Sequence, residues 1–153
     1  MQCSLILIGK TRSQALTSLE SDYTQRIRHY LPFQIEVIPR TKAVSPESEK
    51  QDEGQAILKR LRADDYVVLL DERGKEYTSP QFAHWLQLAS IRGLKRIVFI
   101  IGGAYGFSEQ VYARADHQVS LSKMTFAHEM VRTIFVEQLY RACTIIKGEK
   151  YHH

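Results

Sequence analysis

Thiolate chemistry is the first thing this sequence does without. It has two cysteines, Cys3 and Cys143, with no Cys-x-x-Cys spacing and no histidine run beside either. Redox exchange and zinc ligation need such spacings, so both read as small buried residues and no metal is expected. Long apolar runs are missing as well. The longest, Tyr66–Leu70 and Ile97–Ile101, fall far short of the roughly 20 residues of a membrane helix. The opening MQCSLILIG is too short and too weakly basic for a secretory signal, so a cytoplasmic location with no membrane partner is expected. Neither glycine fingerprint for phosphate binding, GxGxxG or GxxxxGK[ST], occurs anywhere. No repeat, low-complexity run or Gly/Ser linker interrupts the chain. Residues 1–153 therefore read as one domain.

What is present is the composition of a globular protein, 44% hydrophobic and 25% charged. A formal charge of +4 and a pI near 9.1 lean mildly toward a polyanionic partner. The basic residues are scattered, as in Lys59/Arg60/Arg62, Arg92/Lys95/Arg96 and Arg132/Arg141, and no basic arm exists. On charge alone RNA is compatible, and so is an ordinary basic protein.

Hydrophobic periodicity lays out the elements. Leu5–Ile8 reads as a buried strand ended by Gly9. Ser13 can cap a helix carrying Leu16, Leu19, Tyr23, Ile27 and Tyr30, stopped by Pro32. Phe33–Ile38 alternates like a half-buried strand, and Ser45-Pro46 starts a polar helix reaching Ile57, Leu58 and Leu61. Tyr66–Leu70 is a strand, after which Asp71 and the turn Glu72-Arg73-Gly74-Lys75 follow. Ser79-Pro80 opens a helix to Gly93, and Ile97–Ile101 is the most apolar strand. A short helix capped by Ser108 runs to about Ala113, and Gln118–Leu121 makes the last strand. The final helix begins near Thr125 or His128 and ends at Lys147-Gly148. Alternation of this kind predicts an α/β fold, a mainly parallel sheet with helices on both faces.

Ligands of such sheets bind beyond the carboxyl ends of the strands. Three loops qualify: Leu70-Asp71-Glu72, Gly102–Gly106 and Ser120–Phe126. The glycines of GGAYG allow close backbone approach, as a tight strand-to-helix turn or as a cofactor cradle. Ser122 and Thr125 supply polar groups, and Met124 and Phe126 supply apolar walls, the mix that a ligand with a polar end and a thioether or aromatic body requires. A helix-capping loop with Thr125 as cap accounts for the same residues. Four of the six histidines fall at or after His117, and the final helix sets His128, Arg132, Phe135 and Leu139 on one face. That helix is apolar around most of its circumference, which points to burial against more than one surface, a second subunit among them. Tyr151-His152-His153 reads as a frayed chain end, a tag remnant, or side chains that stack on an unpaired base.

Two blocks, FIIGGAYG and SLSKMTFAHEMVRTIFVEQLYRACTIIKGEKYHH, together closely resemble the RlmH family. These are small SPOUT-class methyltransferases of the large-subunit ribosomal RNA. LILIGK, VVLLDERGK and the length fit as well, so the resemblance covers the whole chain. It implies a C-terminal trefoil knot, a homodimer, and S-adenosylmethionine as methyl donor. The implied acceptor is N3 of a pseudouridine in 23S rRNA of the assembled ribosome. By position it implies cofactor contacts at Leu70, Gly102, Leu121, Ser122, Lys123, Met124, Thr125 and Phe126. His128, Arg132, Tyr151 and His152 match positions expected near the RNA. The chain has Ala127 where the family often has proline, and ends in His153 where the family commonly ends in Lys or Arg.

Methyl transfer to N3 releases the imide proton of the uracil ring. His128 and His152, the latter reaching from a partner subunit, are the expected bases, and Arg132 is expected to stabilise the anion or grip a phosphate. A non-catalytic RNA-binding module on the same scaffold is the competing class. A nucleotide- or flavin-binding protein using GGAYG is a further alternative.

Overall fold

Strands and helices alternate along the chain, and the computed structural model, which describes all 153 residues, folds them into a sheet covered on both faces. The order is β1 (Gln2–Ile8), α1 (Gln14–Arg28), β2 (Phe33–Ile38), α2 (Pro46–Leu58), β3 (Tyr66–Glu76), α3 (Ser79–Ile91), β4 (Arg96–Ile101), α4 (Glu109–Arg114), β5 (His117–Ser120) and α5 (Met130–Lys147). The spatial order is β2-β1-β4-β3-β5, and every pairing is parallel. The sheet expected to be mainly parallel is wholly so.

Continuous apolar strands follow from burial on both faces. In β1, Cys3, Leu5 and Leu7 join one core cluster while Ile6 and Ile8 join the other; β4 splits Ile97, Phe99 and Ile101 from Val98 and Ile100 in the same way. The first cluster takes Ile27 of α1, Leu86 of α3 and Phe135 of α5, and the second takes Ile57 of α2 and Val111 of α4. Each such side chain contributes about 1.5–3 kcal/mol on leaving water. Burial pushes the Cys3 and Cys143 thiols up to about 12, so neither is a thiolate near neutral pH.

Caps fix where the helices begin. Ser13, Ser45 and Ser108 accept from the amides of Leu16, Ser48 and Val111, as their spacing predicts. In α3 the cap is Thr78 rather than Ser79, because Gln81 completes a capping box with Thr78. Helix α5 starts at Met130, later than either Thr125 or His128. The segment before it is a turn: Met124 N donates to Ser122 Oγ at 2.9 Å and Ser120 Oγ to the Ser122 carbonyl at 3.0 Å. Gly148, at φ 72°, ends α5 in the left-handed region.

The largest departure lies in β3. Leu70 and Lys75 both stand opposite Val119, with Asp71–Gly74 looping out between them. The residues read as a terminating turn are an excursion, after which the strand resumes its pairing with β5. Gly74 permits this, since a Cβ there would lie 2.6 Å from Gln118 C and Val119 N. Backbone on both sides leaves little room to yield. Gly74→Ala should therefore cost about 1–3 kcal/mol, seen as a lower urea midpoint with an unchanged slope.

Helix α5 packs between α1 and α3 and buries Arg132, Phe135, Val136, Leu139 and Ala142. No helix is long and apolar enough to cross a membrane. The chain leaves β1 toward β2 and leaves β4 toward β5, so the connections diverge at the carboxyl ends of these two strands. That is where ligands of open parallel sheets bind.

Candidate active site

A cleft of about 1090 Å³ opens beyond the carboxyl ends of β3, β4 and β5. It gathers the three loops expected to meet there. Leu70 comes from β3, Gly102 follows β4, and Leu121, Ser122, Met124, Thr125 and Phe126 come from the segment after β5. Lys123 faces away, largely exposed, with its ammonium 3.9 Å from Glu76. Parallel pairing explains the convergence: Leu69 and Leu70 stand opposite Ile100 and Ile101, so the loops after both strands leave at one level.

Apolar and polar walls alternate in the cleft. Ile101, Leu121 and Phe126 give apolar surface, and Met124 is 77% exposed at the rim. Gly102 approaches Phe107 so closely that a Cβ would come within 3.0 Å of its ring. At the outer wall Tyr112 donates to Asp71, and Arg73 donates to Tyr112 while its guanidinium stands 5.2 Å over that ring. Burial raises the Asp71 carboxyl, but hydrogen bonds from Tyr112 and Arg73 outweigh it and hold the group below the usual range. Asp71 is thus an ionised acceptor in the cleft wall.

His128 closes one end of the cleft, in the turn before α5. Its Nε2 lies 3.0 Å from Arg132 Nη2. A guanidinium only donates, so the imidazole nitrogen facing it must accept, and the ring is neutral with its proton on the other nitrogen. Burial, then the Arg132 charge, pushes His128 below its ordinary value, in accord with that state.

Arg132 is not the RNA-facing cation that the sequence reading expected. It is 1% exposed and donates to the Ile8 carbonyl at 2.6 Å, the Gly9 carbonyl at 2.9 Å and Thr11 Oγ1 at 3.0 Å. Thr11 in turn donates to the buried Glu20 at 3.0 Å. Arg132 therefore binds the loop after β1 to α5 and fixes the His128 ring. Within a turn of the same helix, the Glu129 carboxylate accepts from the amide of Ser13 at 3.0 Å and caps α1 from outside.

Tyr151 and His152 lie elsewhere on the same chain. Tyr151 donates to Glu137 at 3.0 Å, and Arg141 stands 4.8 Å over its ring. His152 Nδ1 is 3.3 Å from Arg141 Nη1. Glu137 lies seven positions beyond Met130 in α5, on the order of 10 Å along the axis. The tail and the cleft of one chain do not meet. No group of three or more His, Cys, Asp or Glu side chains is placed to hold a metal ion.

Sequence reasoning missed Glu53. It sits in the polar part of α2, yet is 5% exposed, and its Oε1 has no hydrogen-bond partner. Its carboxyl lies against Gly103, whose Cβ would fall 2.4 Å from Oε2. The next residue, Gly54, makes a matching approach to Ser108, so α2 docks on the glycine loop without a Cβ at either contact. The one signal in the sequence is an acid beside a glycine in a helix. Burial, then Glu49, raises the Glu53 carboxyl, so the unfolded chain loses this proton first as pH rises and the fold is penalised above the unfolded value. Glu53→Gln removes that penalty and should raise the melting temperature at pH 7 by about 2–4 °C, with the gain shrinking toward pH 4.

A family model described as "Predicted SPOUT methyltransferase" matches residues 1–152. Among curated relatives, "Ribosomal RNA large subunit methyltransferase H" of Christiangramia forsetii is 50% identical, over 100% of this chain and 99% of the relative. Proteins of the same name from Parabacteroides distasonis and Bacteroides fragilis are 51% and 49% identical with the same coverage. Matches of this extent show the family: the chain belongs to the SPOUT methyltransferases, among the relatives called ribosomal RNA large subunit methyltransferase H.

Proposed function

We propose that this protein transfers a methyl group from S-adenosylmethionine to N3 of a pseudouridine in 23S rRNA of the assembled ribosome, as a cytoplasmic homodimer built from one domain per chain. The observation that carries the reading is the cleft where Leu70, Gly102 and Leu121–Phe126 converge beside His128. Its donor set suits the methyl donor. Ser122, Thr125 and loop amides answer a polar end, apolar walls answer an adenine and thioether body, and glycine at 102 lets the backbone approach. The C-terminal knot belongs to the same reading, through the family.

The bound donor supplies an electrophilic methyl group, so the protein's work is mainly orientation. Leu70, Gly102 and the Leu121–Phe126 segment would hold it, with the Lys123 side chain turned to solvent. His128 borders the cleft, placed to stabilise negative charge on the pyrimidine as the N3 proton leaves. Its Nε2 is engaged by Arg132 and is not free to take that proton, so the base comes from elsewhere.

His152 of a second copy is that base in this account. A two-fold dimer packing the α5 helices antiparallel sets the tail of one protomer beside the His128 end of its partner. Tyr151 then offers a ring for stacking on an unpaired base. The exposure of Met130 at the start of α5 suits such an interface.

Isothermal titration with S-adenosylmethionine separates this reading from a non-catalytic RNA-binding module. One site per chain in the micromolar range is expected, weakened at least tenfold by Gly102→Val. No binding at millimolar donor contradicts the reading.

A further inference from the structure

Four of the 21 basic residues, distant in the sequence, converge in one place. Strands β1 and β2 run parallel with Ile8 opposite Ile38, so the loops after them leave the sheet side by side. Gly9 N donates to the Ile38 carbonyl at 2.8 Å. The Arg40 stem crosses Gly9 closely enough that a Cβ there would meet its Cγ at 3.5 Å. The first loop carries Lys10 and Arg12, the second Arg40 and Lys42, and neither stretch, 9–13 or 39–45, contains a carboxylate. All four side chains are exposed. None forms an ion pair, whereas eight other Lys and Arg side chains do.

This group is joined to the candidate site from below. Arg132 holds the Ile8 and Gly9 carbonyls, and Glu129 holds the amides of Arg12 and Ser13. Both residues belong to the segment that carries His128. The Arg40 charge also adds to the depression of the His128 and Arg132 values, which places it near that pair. The nearby carboxylates do not cancel the patch: Glu129 is occupied by amides, Glu20 is buried beneath Thr11, and Glu53, which feels the Arg40 charge, is buried against Gly103 and forms no ion pair with it. Four unpaired cations on a braced ledge beside a cleft are the electrostatic footprint of a phosphate backbone.

We infer that Lys10, Arg12, Arg40 and Lys42 form a phosphate-binding ledge that docks the RNA strand flanking the target nucleotide against the His128 end of the cleft. The inference rests on the proposed RNA substrate and adds the surface that holds it. The ledge sets affinity and orientation, and has no part in binding the methyl donor.

The test compares two quadruple variants with the wild type on purified ribosomes lacking the modification. One is K10Q/R12Q/R40Q/K42Q. The control, K59Q/R62Q/R92Q/K95Q, alters exposed cations at the opposite, amino-terminal end of the sheet, and both take the formal charge from +4 to zero. Each neutralised phosphate contributes about 0.7–0.9 to the slope of log affinity against log salt. The ledge variant should lose about 3 from that slope and bind ribosomes at least tenfold more weakly at about 0.1 M salt. The control should keep the wild-type slope, and both should bind S-adenosylmethionine within twofold of wild type. Equal losses in the two variants, or an unchanged slope in the ledge variant, overturn the ledge. Failure of the wild type to methylate 23S rRNA at all overturns the proposed function instead.

Discussion

Arg132→Ala should be the most damaging single change, lowering stability by about 3–5 kcal/mol and the single-turnover rate at least a hundredfold. The guanidinium is 1% exposed and spans the Ile8 and Gly9 carbonyls, Thr11 and His128. Its removal leaves two carbonyls without their donors and Glu20 without its nearby cation. Arg132→Lys keeps the charge but not the fork, so one ammonium cannot serve both carbonyls and the histidine. Lysine should recover part of the stability and little of the rate. Urea denaturation and single-turnover transfer at saturating donor, on protein kept well below its melting point, measure the two effects separately. Near-parental rates in Arg132→Lys would show that the His128 ring needs no such anchor.

The second large effect concerns the histidines. His128→Ala and His152→Ala should each lower the single-turnover rate by about 10²–10⁴, with donor affinity changed less than threefold. They should complement each other in a mixed-dimer experiment. If His152 acts across the interface, a heterodimer of His128→Ala with His152→Ala retains one intact site and about half the wild-type rate. Near-parental rates in both single variants remove the histidines from the mechanism.

The pH dependence of stability has a definite sign. His128 and His117 are both pushed below the ordinary histidine value, His117 by burial first and then by Lys75. The unfolded chain therefore takes up protons before the fold does, and stability falls as pH drops through about 6.5. Below the folded values the loss levels off. His128→Asn should flatten part of that decline in denaturation curves between pH 7.5 and about 5.

Much of this architecture was legible in the sequence because its causes are local. Serine and threonine caps, proline in first turns and two-sided apolar strands declare themselves within a few residues, and they carried the α/β reading and the three converging loops. Most of the failures involve contacts between distant segments. Glu72–Lys75 has the composition of a turn, and only Gly74 lying against Gln118 and Val119 lets β3 continue. Thr125 has the chemistry of a cap, but Ser122 takes the amide of Met124 and delays α5 to Met130. Arg132 has the charge to grip a phosphate, and nothing in its sequence neighbours reveals that the Ile8 and Gly9 carbonyls at the end of β1 await it. Lys10 and Arg40 stand thirty residues apart in the sequence, and only parallel pairing of β1 with β2 sets their loops together.

The most direct measurement is methylation of intact ribosomes against free 23S rRNA, with nucleoside mass spectrometry locating the product. The account predicts one methyl group per ribosome, on N3 of a pseudouridine, with transfer to free 23S rRNA slower by at least tenfold. A methyl group on another nucleotide, or no transfer to ribosomes by protein that binds S-adenosylmethionine, would contradict it.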